Sequence, residues 1–361
     1  MQTSDERWWI PFGIVVGVSL LSKYLIAFYL VALVVGFVAT PMRRSLARPW
    51  VYAGAAVALV MVLPNVLWQQ QHGWPFLEVG AAGVNGKNLA LSPWAFFAQE
   101  FSIIGPAAAP VWLAGLWAVS VRPANAAYRI FPIAYGVLCP VFIAVHGKPY
   151  YLAPIYPTLL SFGAVAIERW VRVTTGRGAT LTAVAVVGAF LSPLAVPILP
   201  VETYIAYAKA IGVAPSVELH AKVGLLPQHF ADMFGWPEMA AKVAAVYDQL
   251  SPADRAKAVF FGRNYGEAAA IDVFGQPLGL PPAISGHNNY YLWGPRGHDG
   301  SVVIVIGGSL DEWAKAFRSV DQVGYISTPY AMPYETNQPI YILRGLEMPL
   351  ATMWPKAKHY E

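Results

Sequence analysis

"WIPFGIVVGVSLLSKYLIAFYLVALVVGFVATPM", residues 9 to 42, is apolar but for a single charge, Lys23. As one helix it would reach about 50 Å at about 1.5 Å per residue, longer than a tilted crossing of a bilayer needs. The stretch therefore breaks, and Ser22-Lys23-Tyr24 is the place. A short apolar helix over 9 to 21 and a spanning helix over 24 to 42, with a lysine at their junction, identify a chain threaded through a membrane.

The rest of the first half repeats the pattern. Apolar runs near 50 to 68, 95 to 119, 130 to 146, 152 to 170 and 179 to 199 are each long enough to span, which takes about 20 residues. The whole chain of 361 residues is 57% hydrophobic and 12% charged, with a mean hydropathy of +0.47, values that exclude an ordinary soluble domain. Residues 1 to 200 hold 12 Lys/Arg against 5 Asp/Glu (+7), and residues 201 to 361 hold 12 against 15 (−3), which together give the net +4. The basic residues of the first half sit mostly in short Arg-rich loops between apolar runs, the mark of membrane topology rather than of nucleic-acid binding. Arg43, Arg44, Arg48, Arg122, Arg129, Arg169, Arg172 and Arg177 fall in one set of loops, while the intervening loops hold Lys87 and Lys148. By the positive-inside rule the Arg loops are cytoplasmic, and Lys23, Lys148 and everything past residue 200 face outward. A multi-pass protein of the cytoplasmic (inner) membrane with an extracytoplasmic C-terminal domain is expected.

Beyond Pro200 charges recur every few residues and a second domain begins. Strands are expected over 257 to 261, 302 to 306 and 340 to 343, and helices over 237 to 250, 266 to 274 and 310 to 318. The fold class is thus a polytopic α-helical membrane domain, residues 1 to 200, followed by a small α/β soluble domain, residues 201 to 361.

A fixed charge at a membrane needs water, a partner or an anion, which makes Lys148 in "HGKPYYLAPIYP" (146 to 157) a functional candidate. Pro149 ends the preceding helix, and Tyr150 and Tyr151 lie at interfacial depth, so the ammonium is placed to hold a lipid phosphate. The alternative is an ammonium that snorkels to the headgroups beside an ordinary aromatic belt. Gln69, His72 and Trp74 in "LPNVLWQQQHGWPFLEV" (63 to 79) combine amides with an indole, a set suited to sugar hydroxyls and pyranose faces, or to a plain interfacial anchor. Glu100, inside the 95 to 119 run, is either a base, a partner for Lys23 or Lys148, or a lone interfacial acid. In the second domain Asn264 lies in "GRNYGEAAAIDVFG", and His287 and Asn288 lie in "ISGHNNYYLWGP"; both loops suit carbohydrate contact, and turn formation and capping explain them equally. The histidines never fall four apart on a helix and the single Cys139 makes no cluster, so neither a metal nor another cofactor is expected.

Taken together, "LLSKY", "LPNVLWQQQHGWPFL", "GKPYYLAPIYP", "NYGEAAAIDVFG", "ISGHNNYYLWGP" and "PYAMPYE", in this order, resemble bacterial membrane-embedded glycosyltransferases of the C superfamily, the protein mannosyltransferase and aminoarabinose transferase type. The resemblance implies an enzyme that takes a sugar from a polyprenyl-phosphate carrier at the outer face and passes it, with inversion, to a lipid, glycan or protein acceptor. It implies that Lys148, Tyr150 and Tyr151 hold the carrier phosphate with help from Lys23. In the family an acidic pair in the first outward loop supplies the catalytic aspartate, several helices before the "LLSKY" segment. Here that segment begins about twenty residues from Met1, so the N-terminal part is expected to be lacking, activity of the chain alone is in question, and Glu100 is left as the carboxylate within the spans. The competing expectation is a non-catalytic membrane protein whose outward domain binds a glycan or a partner.

Overall fold

The computed structural model describes residues 5–216 and 222–360, and the chain divides into two compact units. The first comprises Met1–Phe76 with Gly83–Ile198, and the second Leu77–Ala82 with Leu199–Glu361.

The first unit is helical. Its helices are α1 (Trp9–Ser22), α2 (Ile26–Ala39), α3 (Pro49–Gln71), α4 (Pro75–Ala82, which continues into the second unit), α5 (Pro93–Ile104), α6 (Ala109–Val121), α7 (Ile130–Ala144), α8 (Tyr156–Trp170) and α9 (Thr174–Leu191). Among the described residues, four helical stretches are long and apolar enough to cross a membrane, and the number reaches six if each sharply bent pair counts as one span. The break expected at 22 to 24 is present: α1 stops at Ser22, Lys23 is extended (φ −157°, ψ 117°), and α2 starts at Ile26.

The 95 to 119 run differs from expectation. It is two helices, α5 and α6, meeting at 112°. Gly105 has a φ of 96°, open to glycine at little cost, and Pro106 cannot extend the helix before it.

Helices in a membrane gain little from apolar burial against one another, so close backbone approach carries their packing. Two crossings show it. A Cβ on Gly13 would overlap the Gly54 carbonyl where α1 meets α3, and a Cβ on Gly115 or Gly163 would overlap the Leu159 or Val111 carbonyl where α6 meets α8. Between α2, α5, α6, α7 and α8 lies a buried cluster that includes Phe96, Trp112, Tyr135, Phe142, Leu152, Ile155 and Leu159. By contrast, no residue of α9 is buried.

The second unit contains α10 (Val201–Ala210), α11 (Gln228–Ala231), α12 (Trp236–Asp248), α13 (Pro252–Arg255), β1 (Ala258–Phe261), α14 (Tyr265–Ala270), β2 (Val302–Ile306), α15 (Leu310–Trp313), β3 (Phe317–Ile326), β4 (Gln338–Leu346) and α16 (Leu350–Ala357). The strands form one mixed sheet in the order β1-β2-β4-β3. β1 and β2 are parallel, with Ala258 opposite Val302, while β4 runs antiparallel to both β2 and β3. Apolar clusters cover both faces. Phe260, Ile304 and Ile342 pack with Val243 and Ala240 on one, and Val259, Val305 and Leu343 pack with Trp354 on the other. Burial on both faces is why β2 reads as an unbroken apolar run.

The helix expected over 310 to 318 is the second correction, since only Leu310–Trp313 is helical and β3 begins at Phe317. Pairing with β4, Phe317 opposite Leu346 through Ile326 opposite Gln338, overrides the local helical pattern.

Candidate functional site

The membrane unit brings four of the expected residues together. Helix α7 ends at Ala144, and the Gly147 N–H bonds back to the Phe142 carbonyl over 2.7 Å. A 3-10 helix over Pro149–Ile155 then seats Leu152 and Ile155 in the core, which fixes the register of the intervening tyrosines. The rings of Tyr150 and Tyr151 stand edge to face at 4.9 Å, and Tyr151 packs at 5.6 Å against Phe142. Lys23, from the corner between α1 and α2, places its Nζ 5.1 Å from the Tyr150 ring and 5.3 Å from the Tyr151 ring. Lys148 places its Nζ 6.0 Å from the same Tyr150 ring. Two ammonium groups from distant parts of the sequence therefore gather at one aromatic pair, which attracts each by its ring quadrupole while the charges repel one another.

The end of α3 supplies the neighbouring polar group. Gln69 is buried, and both ends of its amide have partners: Nε2 donates to the Tyr24 hydroxyl at 3.0 Å and Oε1 accepts from the Phe76 N–H at 3.1 Å. The Tyr24 hydroxyl in turn donates to Asn65 Oδ1, and its ring lies 4.4 Å from Phe76. Tyr24 and Asn65 are thus members of the candidate site that the sequence reading passed over, since Asn65 reads as one more polar residue ahead of the Gln69–Gln71 run that ends α3. His72 stacks on Trp68 at 4.3 Å, with Nδ1 2.8 Å from the Trp68 carbonyl. Trp74 adopts a left-handed backbone (φ 61°) and leaves its indole exposed.

Glu100 stands apart from the lysines. It is 2% exposed, Oε1 accepts from the Tyr135 hydroxyl at 3.0 Å, and Oε2 has no hydrogen-bond partner among the described residues. Its partner is Tyr135 and not either lysine. Around it lie Trp112, whose ring is 6.2 Å from Tyr135, and Tyr156, 5.6 Å from Trp112.

In the second unit the expected residues make local structural contacts. Asn264 caps α14, accepting from the Glu267 N–H at 2.9 Å, and its Nδ2 donates to Glu335 Oε1 at 2.8 Å, so that "NYGEAAAIDVFG" and "PYAMPYE" meet. Burial pushes the carboxyls of Glu267 and Glu335 above the ordinary glutamate range, and the charge of Glu335 adds to the rise at Glu267. His287 is buried, accepts from the Tyr265 N–H at Nδ1, and stacks on His359 at 4.6 Å. Asn288 has a φ of 51°, and its N–H bonds to the His359 carbonyl. Among the described residues no three His, Cys, Asp or Glu side chains gather in a way that could hold a metal ion.

No curated protein and no solved structure matches the chain. The model of one family, dolichyl-phosphate-mannose-protein mannosyltransferase, matches residues 1–68, the stretch that contains Lys23, Tyr24 and Asn65.

Proposed function

We propose that this chain is a membrane glycosyltransferase that takes a sugar from a polyprenyl-phosphate carrier at the outer face of the cytoplasmic membrane and passes it to a lipid, glycan or protein acceptor. The observation that carries the reading is the convergence of Lys23 and Lys148 on the Tyr150 ring. A pair of cations held together at the edge of apolar spans suits a phosphate whose lipid tail lies in the bilayer. In this reading the two ammonium groups and the tyrosine hydroxyls hold the carrier phosphate, and His72 and the exposed Trp74 meet the sugar. The match of residues 1–68 to the mannosyltransferase family supports the reaction class. General-base catalysis needs a carboxylate within reach of the acceptor hydroxyl. Glu100 can take that role only if α5 moves, because Tyr135 covers one oxygen and the packed core surrounds the other.

The test is binding of a short-chain polyprenyl phosphate to the purified chain in detergent. Lys148→Met should weaken it at least about tenfold with little change in folded yield, and Lys148→Arg should restore part of the loss, since a planar fork replaces a point charge. Equal binding by wild type and Lys148→Met would return the lysine to a headgroup anchor.

A further inference from the structure

We infer that Tyr24 is a positioning residue: held by Asn65 and Gln69, it aims the Lys23 ammonium at the phosphate site. The inference rests on the carrier-phosphate reading above and extends it to residues that touch no substrate.

Lys23 is the extended residue at which α1 ends, its N–H bonded to the Ser19 carbonyl and its own carbonyl accepting from the Ile26 N–H. Lys23 and Tyr24 are adjacent in the corner between α1 and α2, so fixing Tyr24 against α3 holds the backbone from which the Lys23 stem leaves toward the rings of Tyr150 and Tyr151. Tyr24 is fixed unusually well for a residue at a helix junction. Its hydroxyl donates to Asn65 and accepts from Gln69, its ring packs on Phe76, and the far end of the Gln69 amide is tied to the Phe76 N–H. Asn65 and Gln69 are four apart on α3, so both amides present to one side, one turn above the other. Each polar atom at the centre of this network, the Tyr24 hydroxyl and both ends of the Gln69 amide, has a partner, the condition under which a buried polar network rigidifies its surroundings. A lysine carries considerable rotamer freedom, and ordering it only when a ligand arrives lowers affinity. A rigid neighbour that confines the stem beforehand removes part of that cost.

The experiment is a double-mutant cycle on affinity for a short-chain polyprenyl phosphate, with inorganic phosphate as a second probe. Tyr24→Phe keeps the ring on Phe76 and removes only the hydroxyl. It should weaken polyprenyl phosphate binding about tenfold in the wild-type background and have almost no further effect in Lys23→Met, while its effect persists in Lys148→Met. Asn65→Asp keeps the acceptor for the Tyr24 hydroxyl and should bind like wild type, whereas Asn65→Leu should bind like Tyr24→Phe. Inorganic phosphate should show the same order of variants, because the positioned charge acts on the phosphate and not on the tail. A merely structural Tyr24 would weaken binding equally in both lysine backgrounds, and that result overturns the inference. If Lys23→Met and Lys148→Met each bind like wild type, the carrier-phosphate reading itself falls, and the positioning role falls with it. If Tyr24→Phe does not fold, the contrast between Asn65→Asp and Asn65→Leu decides, equal binding by those two being the overturning result.

Discussion

Tyr135 donates its hydroxyl to Glu100 Oε1 over 3.0 Å and so joins α7 to α5 inside the apolar core of the membrane unit. Tyr135→Phe would leave a buried carboxylate with no hydrogen bond at either oxygen, a loss of about 1–3 kcal/mol. Glu100→Gln retains an acceptor for Tyr135 and should cost less. Thermal unfolding in detergent would order the two variants, and the opposite order would mean that the bond contributes nothing. Glu100→Gln also bears on chemistry: if the carboxylate is the base, turnover disappears while polyprenyl phosphate binding stays.

Gly163 sits where α8 crosses α6 at backbone distance, and a Cβ there would overlap the Val111 carbonyl. Gly163→Ala should destabilise the unit by about 1–3 kcal/mol, the range for overpacking a tight contact. Gly178 on α9 has open space around its Cβ position, so Gly178→Ala serves as the control and should leave folded yield unchanged. Comparable losses in both would show that α6 and α8 do not cross in this way.

The Arg-rich loops predict that the second unit faces outward. A reporter active only in the cytoplasm, fused after Glu361, should be silent, and one active only outside should give signal. The reverse pattern would invert the topology and remove the outer-face reaction with it.

Burial raises the Glu267 and Glu335 carboxyls above the ordinary glutamate value, so the folded form binds their protons more tightly than the unfolded form does. That contribution to stability is complete below the unfolded value of about 4.3 and is lost as pH rises through the higher folded values. The melting temperature of the full chain, followed by a signal from the second unit, should therefore fall between about pH 5 and about pH 8. Glu267→Gln still accepts from the Arg263 N–H, removes one of the two titrating groups, and should make the curve shallower. An equally steep curve in the variant would place the titration elsewhere.

What the sequence revealed, and what it hid, follows from the range of the interactions involved. The break at Lys23 was legible because helix length against bilayer thickness is a local argument. β2 was legible to the residue because it is apolar on both faces and followed by glycines. β3 was hidden: most of it is half-exposed and carries Arg318, Asp321 and Gln322, and only β4 makes it a strand. The bend at Gly105 was hidden by the apolar residues on both sides of it. The lysines and tyrosines of the site stood out as polar groups that apolar spans do not need. The Tyr24, Asn65 and Gln69 network did not, because hydrogen bonds between helices some forty residues apart leave no pattern along the chain.

Among the described residues the sheet ends at β3, whose outer side has no neighbouring strand. Its register slips between Gln322 and Gly324, and Arg318 and Asp321 lie along it, with Asp321 paired to Arg344 at 2.7 Å. A kinked, charged border of this kind cannot template a further strand. Copies of this domain that meet at this border are thereby kept from pairing strand to strand.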